Sequence, residues 1–126
     1  MWWLFLGCLG SADLADLDAD GFSAQVDCDD LDAAVNPDAD EVCNERDDDC
    51  DGNADGGSVD APTWFADGDA DGFGDSAESV VGCDTPVDFV SDATDCDDST
   101  PLVNPGATEN CDSDFDENCD GDTGCI

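Results

Sequence analysis

In the stretch Asp67-Gly68-Asp69-Ala70-Asp71-Gly72-Phe73-Gly74-Asp75-Ser76-Ala77-Glu78, acids occupy the first, third, fifth, ninth and twelfth positions and glycine the sixth. Alternate residues of a tight loop converge on one point, and a glycine at the sixth position permits the sharp turn that brings them there. The chemistry this spacing supports is capture of a hard divalent cation by oxygen. Asp67, Asp69, Asp71 and Asp75 supply carboxylates, the Phe73 carbonyl adds a ligand, and Glu78 closes the cage. Calcium, which takes about six to eight oxygens, fits best.

The pattern recurs. Asp16, Asp18 and Asp20 precede Gly21, with the Phe22 carbonyl at the seventh position, no acid at Ala24 and Asp27 at the twelfth, so this cage is expected to be weaker. Asp47, Asp49 and Asp51 precede Gly52, with Asp55 at the ninth position; Asp116, Asn118 and Asp120 precede Gly121, with an amide in the third place. The spacing matches the calcium loop of the EF-hand position for position, but glycines and cysteines stand where its flanking helices belong. The loops are therefore EF-like loops on an irregular scaffold, similar to those of thrombospondin type 3 and dockerin-like modules, and about four calcium ions are expected. Asp29, Asp30 and Glu41, and their counterparts Asp97, Asp98 and Glu109, either complete these cages, form further sites or are solvated surface.

Around the loops the chain repeats itself. Asp27-Cys28-Asp29-Asp30, Val35-Asn36-Pro37, Glu41 and Cys43 return as Asp95-Cys96-Asp97-Asp98, Val103-Asn104-Pro105, Glu109 and Cys111. The repeat divides the 126 residues into an apolar N-terminal segment (1–12), a first metal-binding unit (13–55), a linker (56–63) and a second unit (64–126) with a strand-like insertion (79–90). Units this small rarely hold together on hydrophobic burial alone. The expected fold is small, mostly irregular and loop-rich, stapled by disulfides and calcium, with a few short β-strands and helical turns. Val80 and Val81, then Val87, Phe89 and Val90, flank a turn at 82–86, and Thr63-Trp64-Phe65 adds a third strand. Asn36-Pro37 and Asn104-Pro105 are turn formers, with Gly106 suited to a positive φ.

Thirty-six acidic residues against the single basic residue Arg46 leave a net charge of −35. Such a surface repels phosphate backbones and anionic headgroups, which excludes nucleic acid and membrane surfaces as partners. Histidine, lysine and tyrosine are absent, removing the usual general bases and nucleophiles, so the chain is not expected to be an enzyme. Halophilic acidity is a poorer account of the pattern, because it does not place aspartate at alternate positions. Trp2-Trp3-Leu4-Phe5-Leu6 is too short to span a bilayer, which takes about 20 residues. It reads as the end of a signal or of a truncated chain; Leu4-Phe5-Leu6-Gly7-Cys8 is similar to a lipoprotein cleavage site, with lipidation of Cys8 as the alternative.

Nine cysteines in a short chain point to an oxidising compartment. No CxxC pair and no histidine accompany them, which disfavours zinc. Matched positions suggest local closure of Cys43 with Cys50 and of Cys111 with Cys119. Cys83, present only in the insertion, is then paired with Cys96, and Cys28 with Cys8, leaving Cys125 over.

Taken together, the DADGF phrases, DCDD at 27–30 and 95–98, VNP followed by glutamate and cysteine, and DDDCDG at 47–52 resemble the MopE-like metal-binding repeat of secreted and surface proteins of myxobacteria and related bacteria. The resemblance extends from Asp13 to Gly121 and implies a surface-exposed, cation-binding array. The copper capture of the name-giving protein is associated with histidine and a modified tryptophan outside the repeat, so it does not carry over to a chain without histidine. Two departures are an extra residue between Cys111 and Cys119, and Asn118 in a ligand position. The function expected is an extracellular or cell-surface calcium-binding structural or adhesive module, with other surface proteins or polysaccharide as partners. A metal-scavenging or mineral-nucleating protein is the alternative, and a carboxylate-only hydrolase the remote one.

Overall fold

The computed structural model describes residues 15–124. The chain divides into two compact units with the boundary between Val59 and Asp60. Most of the backbone runs as turns and bends, and the helical turns expected from the sequence are not found among the described residues. Segment 1–12 and the lipidation of Cys8 lie outside the described residues.

The three strands are all in unit 2: β1 (Thr63–Ala66), β2 (Asp75–Val81) and β3 (Phe89–Val90). β-branched and aromatic residues supply β1, β3 and the end of β2 at Val80 and Val81, whereas the first five residues of β2 are small or polar. The sheet order is β2-β1-β3, both pairings antiparallel, with Trp64 opposite Val80 and Phe65 opposite Val90. The segment expected as an added third strand is thus the centre of the sheet. β1 carries Trp64 and Phe65, the residues that profit most from neighbours on two sides, while β2 lies largely exposed. The Trp64 indole N–H donates to the Gly82 carbonyl at 2.8 Å, fixing the far end of β2 to β1. β2 also begins earlier than expected, at Asp75, and absorbs the residues through Glu78.

Hydrophobic burial contributes little. Val35, 2% exposed, is the buried hydrophobic residue among those described, whereas Asp27, Glu41, Asp48, Asp67 and Asp95 are all buried. An interior built of carboxylates is costly unless the charges are paired or neutralised.

The Asn-Pro turns are the same in both units. The Asn36 side chain accepts the Asp38 N–H at 3.1 Å and Asn104 that of Gly106 at 2.9 Å. Gly106 has no positive φ; the asparagine-capped turn places it as it places Asp38, so the extra freedom of glycine is unused there. Each turn is tied to the acidic loop that follows, Asn36 N–H to Asp48 carbonyl and Asn104 N–H to Glu117 carbonyl, both at 2.9 Å.

The disulfides differ from those expected. Cys28 pairs with Cys50 and Cys96 with Cys119, with Cα–Cα separations of 5.6 and 5.7 Å. The expected pairings Cys43–Cys50, Cys111–Cys119, Cys83–Cys96 and Cys8–Cys28 are therefore replaced. Cys50 and Cys119 sit inside a tight acidic loop with φ near +59° and +58°, and the bond staples that loop to the segment after Asp27 or Asp95 instead of closing it on itself. Cys43, Cys83 and Cys111 are also disulfide-bonded.

Candidate metal centre

The four acidic loops share one backbone. In each, the residue at the fourth position is left-handed, with φ of 66° at Ala19, 59° at Cys50, 63° at Ala70 and 58° at Cys119. The glycine at the sixth follows with φ of 106° at Gly21, 91° at Gly52, 96° at Gly72 and 87° at Gly121. The first-position aspartate accepts that glycine's N–H on Oδ2, at 3.1 Å for Asp16, 2.9 Å for Asp47, 3.1 Å for Asp67 and 2.8 Å for Asp116. The third-position oxygen Oδ1 accepts the N–H of the fifth residue at 3.1 to 3.2 Å. The fifth-position Oδ1 accepts the N–H of the seventh residue, Phe22, Asn53, Phe73 or Asp122, at 2.8 to 2.9 Å. The first-position aspartate thus spends both oxygens on backbone N–H groups, whereas at Asp18, Asp20 and Asp69 one oxygen builds the turn and its twin is buried without a donor.

The result is convergence. Carboxylate oxygens of Asp16, Asp18 and Asp20 lie within 4.8 Å of one another, as do those of Asp67, Asp69 and Asp71, and those of Glu41, Asp47 and Asp49. An ion bonded to oxygen at about 2.3 to 2.6 Å touches atoms spaced this closely.

In the first loop of unit 1, Asp27 stands at the twelfth position, near enough for its charge to act on Asp18. It is 8% exposed, its N–H donates to the Ser23 carbonyl at 3.0 Å, and its Oδ1 accepts the Asp29 N–H at 2.8 Å. Its Oδ2, with Oδ2 of Asp18 and of Asp20, is buried and accepts no hydrogen bond from the described residues. Asp30 reaches back to accept the Leu17 N–H at 3.3 Å.

Unit 2 repeats this arrangement with a different twelfth residue. Counting along the chain puts Glu78 there, but the structure places Glu78 on exposed β2. The position equivalent to Asp27 is taken by Asp95, also 8% exposed, whose N–H donates to the Gly74 carbonyl at 3.2 Å and whose Oδ1 accepts the Asp97 N–H at 2.9 Å. Asp98 accepts the Gly68 N–H at 2.7 Å, as Asp30 does for Leu17. Oδ2 of Asp69 and of Asp95 are buried without a donor, and Oδ2 of Asp71 receives the Asn104 amide at 2.7 Å. Asp95 is the residue that sequence counting missed. The signal that identifies it is the repeat, since Asp27-Cys28 aligns with Asp95-Cys96. Asp75, at the ninth position, forms a β-bridge with Asp95.

Glu41, 4% exposed, folds over the second loop of unit 1 and accepts the N–H groups of Asp48, Asp49 and Asp55 at 3.1 to 3.4 Å. Asp55 itself is turned to the backbone, accepting the Asn44 and Glu45 N–H groups at 2.8 and 2.9 Å. In unit 2, Glu109 accepts the Asn118 N–H at 3.4 Å, Asn118 donates to Asp120 at 3.1 Å, and Gly124 stands where unit 1 has Asp55. At its first, third and fifth positions this last loop has two carboxylates where each of the others has three.

Asp29 and Asp97 face outward. Asp29 lies 3.5 Å from Arg46, whose guanidinium donates twice to Asp32 at 3.1 Å. The counterpart of Arg46 in unit 2 is Phe115, 73% exposed.

Burial, then repulsion from neighbouring acids, raises the carboxyl of Asp18 above the ordinary aspartate value, with Asp20, Asp27 and Asp16 as the repelling charges. The same causes raise Asp69, through Asp71, Asp95 and Asp98, and Asp95, through Asp71, Asp98 and Asp97. Asp49 is raised likewise beside Asp51, Glu41 and Asp47. These groups sense one another's charge, which a shared cation would relieve. The donors are oxygens throughout: every described cysteine is disulfide-bonded and histidine is absent. Carboxylate and carbonyl sets of this kind suit hard divalent cations.

Residues 27–56 and 95–123 each match the family Cu-binding_MopE, described as a "Putative metal-binding motif". Comparison with curated proteins and with solved structures gives no match. The two matched segments begin at Asp27 and Asp95 and contain the second acidic loop of each unit; the first loops precede them.

Proposed function

We propose that this chain, which carries two copies of the MopE metal-binding motif, is an extracellular calcium-binding structural module that orders around its ions and is not an enzyme. The observation that carries this reading is the division of labour in the loop carboxylates: one oxygen is held by backbone N–H groups and its partner is buried without a donor at Asp18, Asp20, Asp27, Asp69 and Asp95. Buried anionic oxygens without donors oppose folding unless a cation takes them. Binding energy then becomes folding energy. Disulfides through both units agree with an oxidising compartment. There, calcium near the range of about 0.1 to 1 mM that suits extracellular modules would fill the loops. Rigid, filled units would serve as a spacer or an adhesive element between a cell surface and other surface proteins or polysaccharide.

The test is a calcium titration of oxidised, chelator-stripped protein, followed by circular dichroism and tryptophan fluorescence at about 0.15 M and about 1 M sodium chloride. Saturable ordering by calcium in both salts is expected. Ordering by sodium chloride alone, with no further change on adding calcium, would reduce the loops to a screened acidic surface.

A further inference from the structure

We propose that unit 2 holds a divalent cation in a composite cage made by Asp67, Asp69 and Asp71 from the first loop and by Asp95 from beyond the β2–β3 segment, so that the ion locks that segment at its base. This rests on the calcium-binding reading and goes beyond it. Asp67, Asp69 and Asp71 lie outside the segment that the metal-binding motif matches, and counting along the loop assigns its closing acid to Glu78.

Asp95 is more than nine-tenths buried, and its Oδ2 has no donor, as is true of Oδ2 of Asp69. A second copy of the arrangement exists within the same chain. In unit 1, Asp27 follows its loop directly, is buried to the same 8% exposure and has the same unpartnered Oδ2. The fastening is also the same: Asp27 N–H to the carbonyl of Ser23 and Asp95 N–H to that of Gly74, the eighth position of each loop. The insertion has lengthened the chain between loop and closing acid while leaving the closing acid in place. Asp98 supports the junction, accepting the Gly68 N–H from across the same gap.

The consequence is mechanical. β2 leaves the first loop at Asp75, and the chain returns from β3 to Asp95, which bridges Asp75. A cation shared by Asp69, Asp71 and Asp95 therefore ties both ends of the β2–β3 segment, and its binding orders the sheet built on β1.

Asp95→Asn and Glu78→Gln, each in the oxidised full chain, separate the alternatives. Asparagine keeps Oδ1 as the acceptor for the Asp97 N–H and removes the charge at the cage. Native mass spectrometry with calcium counts bound ions, and Trp64, held to Gly82, reports on the sheet through calcium-dependent fluorescence. Asp95→Asn is expected to lose one ion or to weaken it at least about tenfold, the loss that even an outer-shell partner carries. It is also expected to shift the fluorescence transition to higher calcium, while Glu78→Gln matches the wild type. Asp27→Asn should remove an ion without moving the Trp64 transition, which guards against a general loss of folding. Wild-type ion count and affinity in Asp95→Asn, with loss in Glu78→Gln, would overturn the composite cage and leave the calcium-binding reading intact. A wild-type chain that binds no calcium would overturn both.

Discussion

The backbone N–H of Asp95 donates to the carbonyl of Gly74 at 3.2 Å although the whole β2–β3 segment lies between them. In unit 1 the same bond, Asp27 to Ser23 at 3.0 Å, spans one short turn. The two units thus share a contact but not a chain length, and strands β2 and β3 of unit 2 are an outgrowth of that turn. Its attachment is tight at one atom. A Cβ on Gly74 would lie 2.7 Å from the Asp92 carbonyl and 2.8 Å from the Phe65 Cβ.

Gly74→Ala is therefore expected to destabilise unit 2 by about 1 to 3 kcal/mol, the usual cost of overpacking. Gly82→Ala, where the nearest atom is 3.9 Å away, serves as the control and should stay near the wild type. Thermal unfolding in calcium, followed by tryptophan fluorescence, measures both; equal midpoints would contradict the packing at Gly74.

Ala19 and Ala70 adopt left-handed backbone at φ of 66° and 63°. The cost to an L-residue is about 1 to 2 kcal/mol, and glycine avoids it at the expense of about 0.4 to 1 kcal/mol in the unfolded chain. Ala19→Gly and Ala70→Gly should each stabilise by roughly 0.5 to 1 kcal/mol. Denaturant midpoints in saturating calcium check this, and a lowered midpoint would mean that the left-handed turns are not retained in solution.

Cys28 directly follows the closing acid of the first loop of unit 1, and Cys50 is the fourth residue of the second. Removing the pair as Cys28→Ala with Cys50→Ala should cost about 3 kcal/mol from loop entropy. It should also weaken calcium at both loops of unit 1 while leaving unit 2 unchanged, because the disulfide holds the two loops together. Calorimetric titration of the double variant would show this as a loss of about two ions' worth of tight binding. Loss at one loop alone would mean that the loops act separately.

The metal-free protein should respond to acid with an unusual sign. Asp18, Asp49, Asp69 and Asp95 are raised above their unfolded values by burial and mutual repulsion, so the folded form binds protons more tightly than the unfolded. Their contribution therefore becomes more favourable as pH falls from neutrality toward and through those raised values, and it is lost again on return to neutral pH. Asp32, lowered by the Ala34 N–H and Arg46, and Glu117, lowered by the Ser113 hydroxyl and the Asn110 N–H, act oppositely, losing their contributions as pH falls through their depressed values. The raised groups outnumber them, so the chelated protein should gain order on mild acidification while calcium affinity falls. Circular dichroism against pH, with chelator and with calcium, tests the two signs; parallel curves would rule out proton and calcium competition at these carboxylates.

The acidic loops were legible in the sequence because everything that shapes them is local. A first aspartate reaches the sixth residue's N–H, a fifth reaches the seventh, and glycine at the sixth position accepts the turn, all within one stretch of chain. The abundance of loop and the clustering of strand formers around Trp64 and Val80 were legible for the same reason. The tertiary structure decided which remote acid is fastened to the first loop of unit 2, the partners of Cys50 and Cys119, and the central place of β1. Each of these depends on which distant segments meet in space. Counting residues led to Glu78, which lies on exposed β2, whereas the backbone bond to Gly74 fastens Asp95 to the eighth residue of the loop across the inserted segment. Local spacing determines where a carboxylate can turn inward; only folding determines which remote carboxylate arrives to meet it.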